Sequence, residues 1–472
     1  MHRSFLTYYK ALFLVVTISF FISSCKVGPA FRSPEVSSPE LYTHAENQTD
    51  SLGDIQWWEL FNDPLLDSLI KLAMENNRDV MVAANNVEQA MTLYKIQKAE
   101  LYPDINVQGN VTYGTYGGFL TPDAAGNYLG AAALSWEIDL WGKLRRLNEA
   151  QLAEYMASEY GLANLRLAIA SEVAIFYFQL REFESSVEIS ERSLALRDSS
   201  VNLIQERYNK GIVAEIDLNQ AQIQQAIAAT AVPFYERATA QTNHALSILV
   251  GVNPTELEKS IELHDLTIQP DIPSGLPSEL LQRRPDLLQA TELIHAQNAR
   301  IGVAQAARFP SLTITGLVGV SNELALFNAE AGAFGPAGVA WSASAGLFGP
   351  LFHWGKNKRR VEVEKLRTEA AYLQYEQAVF NAFREVEDAL VAIDTYQREV
   401  EARQDHVRAA LNAQYLSGQR YDKGVTSYLE YLESQRQAFE AELALTAAQS
   451  DLLTSYIQLY KALGGGWIVD SD

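Results

Sequence analysis

The chain has 472 residues, room for two or three ordinary domains, with 48% hydrophobic and 20% charged residues. Its 37 Lys and Arg stand against 58 Asp and Glu, a net charge of −21 that excludes nucleic acid, since phosphate backbones need clustered cations. A single cysteine excludes an internal disulfide.

The N-terminus carries Arg3 and Lys10, then an apolar run from Ala11 to Ile22. Such a run suits a signal-peptide core but not a bilayer span, which needs about 20 residues. Residues 1–24 are therefore read as an export signal. Ile22-Ser23-Ser24-Cys25 resembles the bacterial lipoprotein box, which implies lipid attachment at Cys25 (diacylglyceryl and palmitate-type chains). Lys26 after the cysteine implies sorting to the outer membrane, since retention at the inner membrane typically uses Asp there. The segment that follows, with Pro29, Pro34 and Pro39, reads as an extended tether.

Apolar spacing (Leu66, Leu69, Ile70, Ala73) predicts a helix from Pro64 to Leu101, ending before Pro103. Period-two alternation follows: Ile105, Val107, Gly109, Val111 and Tyr113 share one strand face. After a turn-rich stretch containing Gly117-Gly118, Pro122 and Gly126-Asn127, a second strand is marked by Trp136, Ile138 and Leu140. From Leu162 to Val187 apolar positions step at about 3.6 residues, the seam of a long packed helix. Tyr208-Asn209-Lys210-Gly211 turns the chain, and a helix returns from about Asp217 to Val250, with a kink expected at Pro233.

The whole series then repeats. Arg78-Asp79 and Tyr102-Pro103 return as Pro285-Asp286 and Phe309-Pro310, 207 residues later. Trp141-Gly142-Lys143, Tyr208-Asn209-Lys210-Gly211 and Gly251 return 213 residues later as Trp354-Gly355-Lys356, Tyr421-Asp422-Lys423-Gly424 and Gly464. Leu312 to Val320 and Val339 to Leu347 alternate as the second hairpin, with a loop around Gly332 to Gly338. No Gly or Pro interrupts Lys356 to Ser417, which predicts a helix of about 90 Å. The last helix is expected from about Ser427 to Leu463.

No segment after the signal reads as apolar enough for a transmembrane helix, so any crossing must use strands, for which about 9 to 11 tilted residues suffice. Four strands cannot close a membrane barrel, whose minimum is about eight. The barrel must be shared between chains, and three chains would supply twelve strands.

At this point a resemblance is specific. Cys25-Lys26-Val27-Gly28-Pro29, Trp57-Trp58, Asn77-Arg78-Asp79, Leu281-Gln282-Arg283-Arg284-Pro285-Asp286, Phe309-Pro310-Ser311 and Tyr460-Lys461-Ala462-Leu463-Gly464-Gly465-Gly466-Trp467 resemble, in order and spacing, the lipoprotein branch of the TolC-like outer-membrane efflux proteins. The resemblance implies a mainly α protein with a transmembrane β-barrel: a duplicated strand-strand-long helix-helix unit, trimerised into a twelve-stranded barrel continuous with a long α-helical barrel. It places a tether at 25–63, repeats at 64–251 and 285–464, an equatorial segment at 252–284 and a tail at 465–472. It implies an outer-membrane channel reaching into the periplasm that passively exports small molecules or metal ions, as a homotrimer, from an inner-membrane pump of the resistance-nodulation-division type through a periplasmic adaptor.

The helix turns would form the periplasmic tip, with adaptor contacts around Asn209, Lys210, Gly211, Asp217, Asp422, Lys423 and Gly424. The family's apolar ring and carboxylate ring, four residues apart, match Leu429 and Glu433. Three Glu433 carboxylates near an axis would repel and raise one another's pKa. The family commonly has Asp at this second position.

Seven histidines show no paired ligand spacing, so no metal is assigned. Met74, Met81 and Met91 read as packing, and Gly464-Gly465-Gly466 lacks the Lys-Ser/Thr of a phosphate loop. No nucleophile elbow is present and neither enzyme activity nor a cofactor is inferred. A type I protein-secretion duct and a lipid-anchored coiled-coil stalk or adhesin are the competing readings.

Overall fold

The duplication appears element by element in a computed structural model, which describes residues 26–36, 39, 42–43, 58, 61–114, 125–255, 277–321 and 338–465. The first copy comprises α1 (Pro64–Asn76), α2 (Arg78–Ala99), β1 (Asp104–Gly114), β2 (Ala125–Ile138), α3 (Lys143–Asn209) and α4 (Glu215–Leu249). The second comprises α5 (Pro277–Arg283), α6 (Pro285–Ala306), β3 (Ser311–Ser321), β4 (Gly338–Phe348), α7 (Lys356–Asp422) and α8 (Tyr428–Ala462). Helices α3 and α7 have 67 residues each and α4 and α8 have 35 each. A 67-residue helix is about 100 Å long. Cys25, Trp57, the loop around Gly332, most of the 252–284 segment and the tail from Gly466 lie outside the described residues.

Several expectations are corrected. The single helix over Pro64 to Leu101 is two, because Asn77 caps both ends: its N–H donates to Ala73 O, and its Oδ1 accepts from the N–H groups of Asp79 and Val80 at 2.9 and 3.1 Å. Strand β2 begins at Ala125, so Gly126-Asn127 belong to the ladder, where Thr112 faces Asn127, and Leu140 lies beyond the strand. As expected, the second long helix, α7, reaches the Tyr421-Asp422-Lys423-Gly424 turn, and Pro233 lies inside α4. One helix, α3, does meet the length and hydropathy of a membrane span, against expectation; half of its apolar window is buried inside the chain. That burial is the mark of a packed core helix, and Val173, Tyr177 and Phe178 of α3 are fully buried.

Two compact units emerge. One contains residues 1–35, 86–158 and 289–375. Its centre is an antiparallel sheet of order β1-β2-β3-β4. The registers run from Asp104 opposite Ser135, through Leu129 opposite Ser321, to Ser311 opposite Phe348. The apolar face of β1 is bare: Ile105, Val107, Val111 and Tyr113 are 65 to 90% exposed. Val339, Trp341 and Leu347 of β4 are likewise exposed. In water such a surface would be a liability, but facing lipid tails it is the stable arrangement.

In the same unit the segment after Cys25 is bound along its backbone. Arg146 donates from Nε to Val27 O and from Nη2 to Gly28 O, both at 3.1 Å, and Asn298 Nδ2 donates to Pro29 O at 3.2 Å. Lys26 pairs with Glu149, and Phe31 stacks on His295 at 4.4 Å. Glu292 and Glu149 both contact the His295 ring, and these hydrogen bonds, Glu292's foremost, raise its pKa above the ordinary histidine value despite partial burial.

The other unit contains residues 36–85, 159–288 and 376–472. Asp63 caps α1, accepting from Leu65 N at 2.9 Å, while its second oxygen accepts from the buried Tyr177 hydroxyl. The α1 stripe Leu66, Leu69, Ile70 and Ala73 is fully or nearly fully buried, and Phe61 packs on Phe178 with ring centroids 5.0 Å apart. Burying four such side chains is worth on the order of 6 to 10 kcal/mol before chain entropy is subtracted.

Candidate functional site

The two helix turns expected at the periplasmic tip are built alike. After α3, Gly211 N donates to Tyr208 O at 2.8 Å and Ile212 N to Arg207 O at 2.9 Å. After α7, Gly424 N donates to Tyr421 O and Val425 N to Arg420 O, both at 2.9 Å. These are Schellman-type ends, with left-handed φ of 70° at Gly211 and 69° at Gly424. The backbone role of YNKG and YDKG is thus helix termination.

An apolar cluster joins the two copies at this end. Ile204 of α3, Leu218 and Ala221 of α4, Tyr421 of α7 and Tyr428 and Leu432 of α8 are buried together, with Tyr431 against them. The Arg207 guanidinium sits 4.6 Å from the Tyr421 ring centroid, and the Tyr421 and Tyr428 rings are 5.5 Å apart. Burial drives the Tyr428 hydroxyl far above the ordinary tyrosine pKa, so it is neutral at all physiological pH. Close by, Arg197 is 2% exposed; its Nη1 donates to Gln224 O at 2.7 Å and its guanidinium lies over Phe439 at 5.0 Å. Burial pushes its pKa down, offset in part by Glu440.

The expected tip residues divide by role. Asn209 Oδ1 accepts from Gln205 Nε2 at 3.0 Å, and Asp217 Oδ2 accepts from Ala214 N at 3.3 Å, closing the start of α4. The backbone N–H groups of Lys210 and Lys423 donate to Glu206 O and Gln419 O within the turns. Asp422 ends α7.

Leu429 is 56% exposed on α8, one turn before Glu433. Within one chain Glu433 is held by its own helix neighbours. Arg436 donates to both of its oxygens, at 2.5 and 2.9 Å, and Gln437 Nε2 donates at 2.9 Å. These hydrogen bonds, Arg436's first, hold the carboxyl at about 2. Arg436 also pairs with Glu440 at 2.8 Å. Arg436 is a residue that the sequence analysis missed, although its i, i+3 spacing from Glu433 is the signal that could have found the pair. The repeat offset likewise identifies Ile216 as the counterpart of Leu429 and Ile212 as that of Val425; all are exposed at this end, Ile216 at 60%. Gln220 stands where the second copy has Glu433, so the charge pair belongs to the second copy alone. Among the described residues no group of His, Cys, Asp and Glu is assembled for a metal ion.

Comparison with known proteins completes the picture. The sequence profile of the family described as outer membrane efflux protein matches residues 69–252 and 276–465. The solvent efflux pump outer membrane protein SrpC of Pseudomonas putida is 35% identical over 427 residues, covering 88% of this chain and 88% of SrpC. The probable efflux pump outer membrane protein TtgC of Pseudomonas putida is 31% identical, covering 97% of this chain and 96% of TtgC. The open-state MtrE outer membrane channel of Neisseria gonorrhoeae superposes with a TM-score of 0.82 at 29% identity, covering 94% of this chain and 99% of MtrE. With both copies matched by the profile and 97% of the chain by a relative 31% identical to it, the chain belongs to the outer membrane efflux protein family.

Proposed function

We propose that this outer-membrane efflux channel works as a homotrimer, anchored by lipid on Cys25, and passively conducts small molecules delivered by an inner-membrane pump through a periplasmic adaptor. The observation that carries this reading is the four-stranded sheet itself. Its strands of 11 to 14 residues match a bilayer crossing, its outward residues are apolar, and β1 and β4 are its edges. An open-edged sheet in lipid leaves backbone groups unsatisfied, so neighbouring copies must close it, and three copies give twelve strands. A coiled-coil stalk has no use for these strands. The relatives named for solvent efflux support small-molecule cargo. In the assembled channel the exposed Leu429 and Ile216 narrow the periplasmic end, and Glu433 with Arg436 sets the charge beside them. The turns at Asn209 to Gly211 and Asp422 to Gly424 meet the adaptor.

The test is deletion of the gene followed by susceptibility profiling against antibiotics, detergents, bile salts, organic solvents and metal ions. Raised susceptibility to at least one class, restored by the wild-type gene, is expected. An unchanged profile across all classes with the pump intact would count against the reading.

A further inference from the structure

The first turns of α7 are basic in an acidic chain. From Lys356 to Arg367 six of twelve residues are Lys or Arg and two are Glu, whereas the whole chain carries −21. Lys356, Arg360, Val363 and Arg367 recur at steps of four, three and four, so they share one helix face. Val361 and Thr368, on another face of the same turns, are buried against the chain. Strand parity says which way the cationic face looks. Ile105, Val107 and Val111 form the bare apolar row of the sheet, while Glu137 lies on the opposite, polar face, across from Thr313 and one row from Ser135, Thr315 and Ser344. Arg360 lines a cavity of about 250 Å³ with Glu137, Ser311 and Phe348, where that polar face ends. The cationic face therefore continues the water-facing side of the sheet. In the first copy the matching cations are neutralised: Lys143 pairs with Glu137 at 3.0 Å and Arg145 with Asp139 at 3.1 Å. The 213-residue offset puts Pro350 and Phe352 where Glu137 and Asp139 stand, and Arg360 and Arg367 where Leu147 and Glu154 stand. Among the described residues no carboxylate pairs with Lys356 or Arg360, and Arg367, paired with Glu364 at 2.9 Å, keeps 60% of its side chain exposed. Cations in a first turn also oppose the helix dipole, so helix stability does not explain them.

We propose that Lys356, Arg360 and Arg367 form a cationic collar on the water-facing side just below the barrel, which binds anionic solutes through their phosphate or carboxylate groups. This rests on the channel reading above and adds a charge preference at a defined place along the duct. In a shared duct each copy brings its three cations to the same ring, and walls of low dielectric focus their field. Rings of Lys and Arg are how pores favour anions. Two of the three are Arg, whose planar fork matches phosphate and carboxylate oxygens with paired hydrogen bonds. Exposed side chains on a helix face hold such groups loosely, which conduction requires. The strands oppose nothing: apart from Asp104 and Glu137 at their helical end, β1 to β4 contain no Asp, Glu, Lys or Arg. The collar is thus the first uncompensated charge beyond a neutral barrel.

The experiment uses the purified full-length particle with a single reporter thiol. Val363→Cys reports from the collar face, Ser344→Cys from the polar strand face, and wild type, with Cys25 alone, gives the background. Each is modified by a sulfonate-bearing and by a quaternary-ammonium-bearing methanethiosulfonate, and the ratio of the two rates reads the local potential. The anionic-to-cationic ratio at Val363→Cys is expected to exceed that at Ser344→Cys on the order of tenfold. It should fall to the reference when Lys356→Gln, Arg360→Gln and Arg367→Gln are combined. Lys358→Gln with Lys365→Gln, on the other side of the helix, should change it by less than about twofold. Inorganic pyrophosphate should slow the anionic reagent at Val363→Cys more than potassium chloride of equal ionic strength does, and should lose that advantage in the triple variant. Equal ratios at the two reporters, a ratio unmoved by the triple variant, or equal slowing by pyrophosphate and chloride would overturn the collar while leaving the channel. A folded monomer, by detergent-corrected mass, would overturn the channel reading and the collar with it.

Discussion

Arg284 and Asn77 occupy equivalent positions 207 residues apart and bind equivalent carbonyls by different chemistry. Asn77 Nδ2 donates to Leu249 O at 2.8 Å; Arg284 Nη1 donates to Ala462 O at 3.0 Å. Each junction ties the break between two short helices to the C-terminus of the copy's last helix. In the second copy the tie is ionic as well: Arg284 pairs with Asp286 at 2.8 Å and Glu385 at 2.7 Å.

Arg284 is 8% exposed, and its removal leaves the Ala462 carbonyl without this buried donor and breaks the pairs to Asp286 and Glu385. Arg284→Ala is expected to destabilise its unit by about 3 kcal/mol, and Asn77→Ala, which loses a cap and one buried hydrogen bond, by about 2 kcal/mol. Thermal melts of the purified protein, with limited proteolysis to locate the loosened segment, check the order. An Asn77→Ala effect larger than that of Arg284→Ala would refute the ionic account.

His295 makes the docking of the N-terminal segment depend on pH. Its pKa is raised in the folded chain by Glu292 and Glu149, and Glu149 also pairs with Arg146 and Lys26. A raised pKa means the contribution is complete below the unfolded value of about 6.5 and is lost as pH climbs through the folded value. Hydrogen-exchange protection of residues 27–31 should therefore decline as pH rises above about 6.5. His295→Gln should flatten that decline.

Arg436 keeps Glu433 ionised. Its folded pKa of about 2 lies below the unfolded one, so the ionised pair persists through the neutral range and is lost only as pH falls toward 2. Both side chains are exposed, so little stability depends on the pair. In Arg436→Ala the carboxyl should return toward about 4.3 or, with like charges nearby, above it. Single-channel conductance should then show a titration step at mildly acidic pH that wild type lacks.

Two glycines with the same left-handed backbone should respond differently to alanine. At Gly211 a Cβ meets nothing within 4 Å, so Gly211→Ala costs only the backbone term, about 1 kcal/mol. At Gly251 a Cβ would lie 2.3 Å from Asn76 O, so Gly251→Ala must push apart the junction that Asn77 holds. Expression and melting temperature of the two variants should separate clearly, with Gly251→Ala the worse.

The repeat offsets and alternation were enough to locate both hairpins and both helical pairs, because periodicity depends only on which residue types recur. Tyr208-Asn209-Lys210-Gly211 and its copy marked the turns for the same local reason: only glycine adopts left-handed φ at little cost. What periodicity misses is competition between partners. Asn77 breaks a helix that apolar spacing would have continued, because its amide reaches Leu249 O across 172 positions of sequence. An apolar stretch of α3 meets the measure of a membrane span, yet half of it is buried inside the chain. Glu433 was read from its place in a motif, but its charge state within the chain is set by Arg436 and Gln437, which point back at it. Composition and spacing determined which elements exist and in what order; the tertiary structure decided which side chains neutralise, bury or leave bare one another, since those energies depend on distances in space and not along the chain.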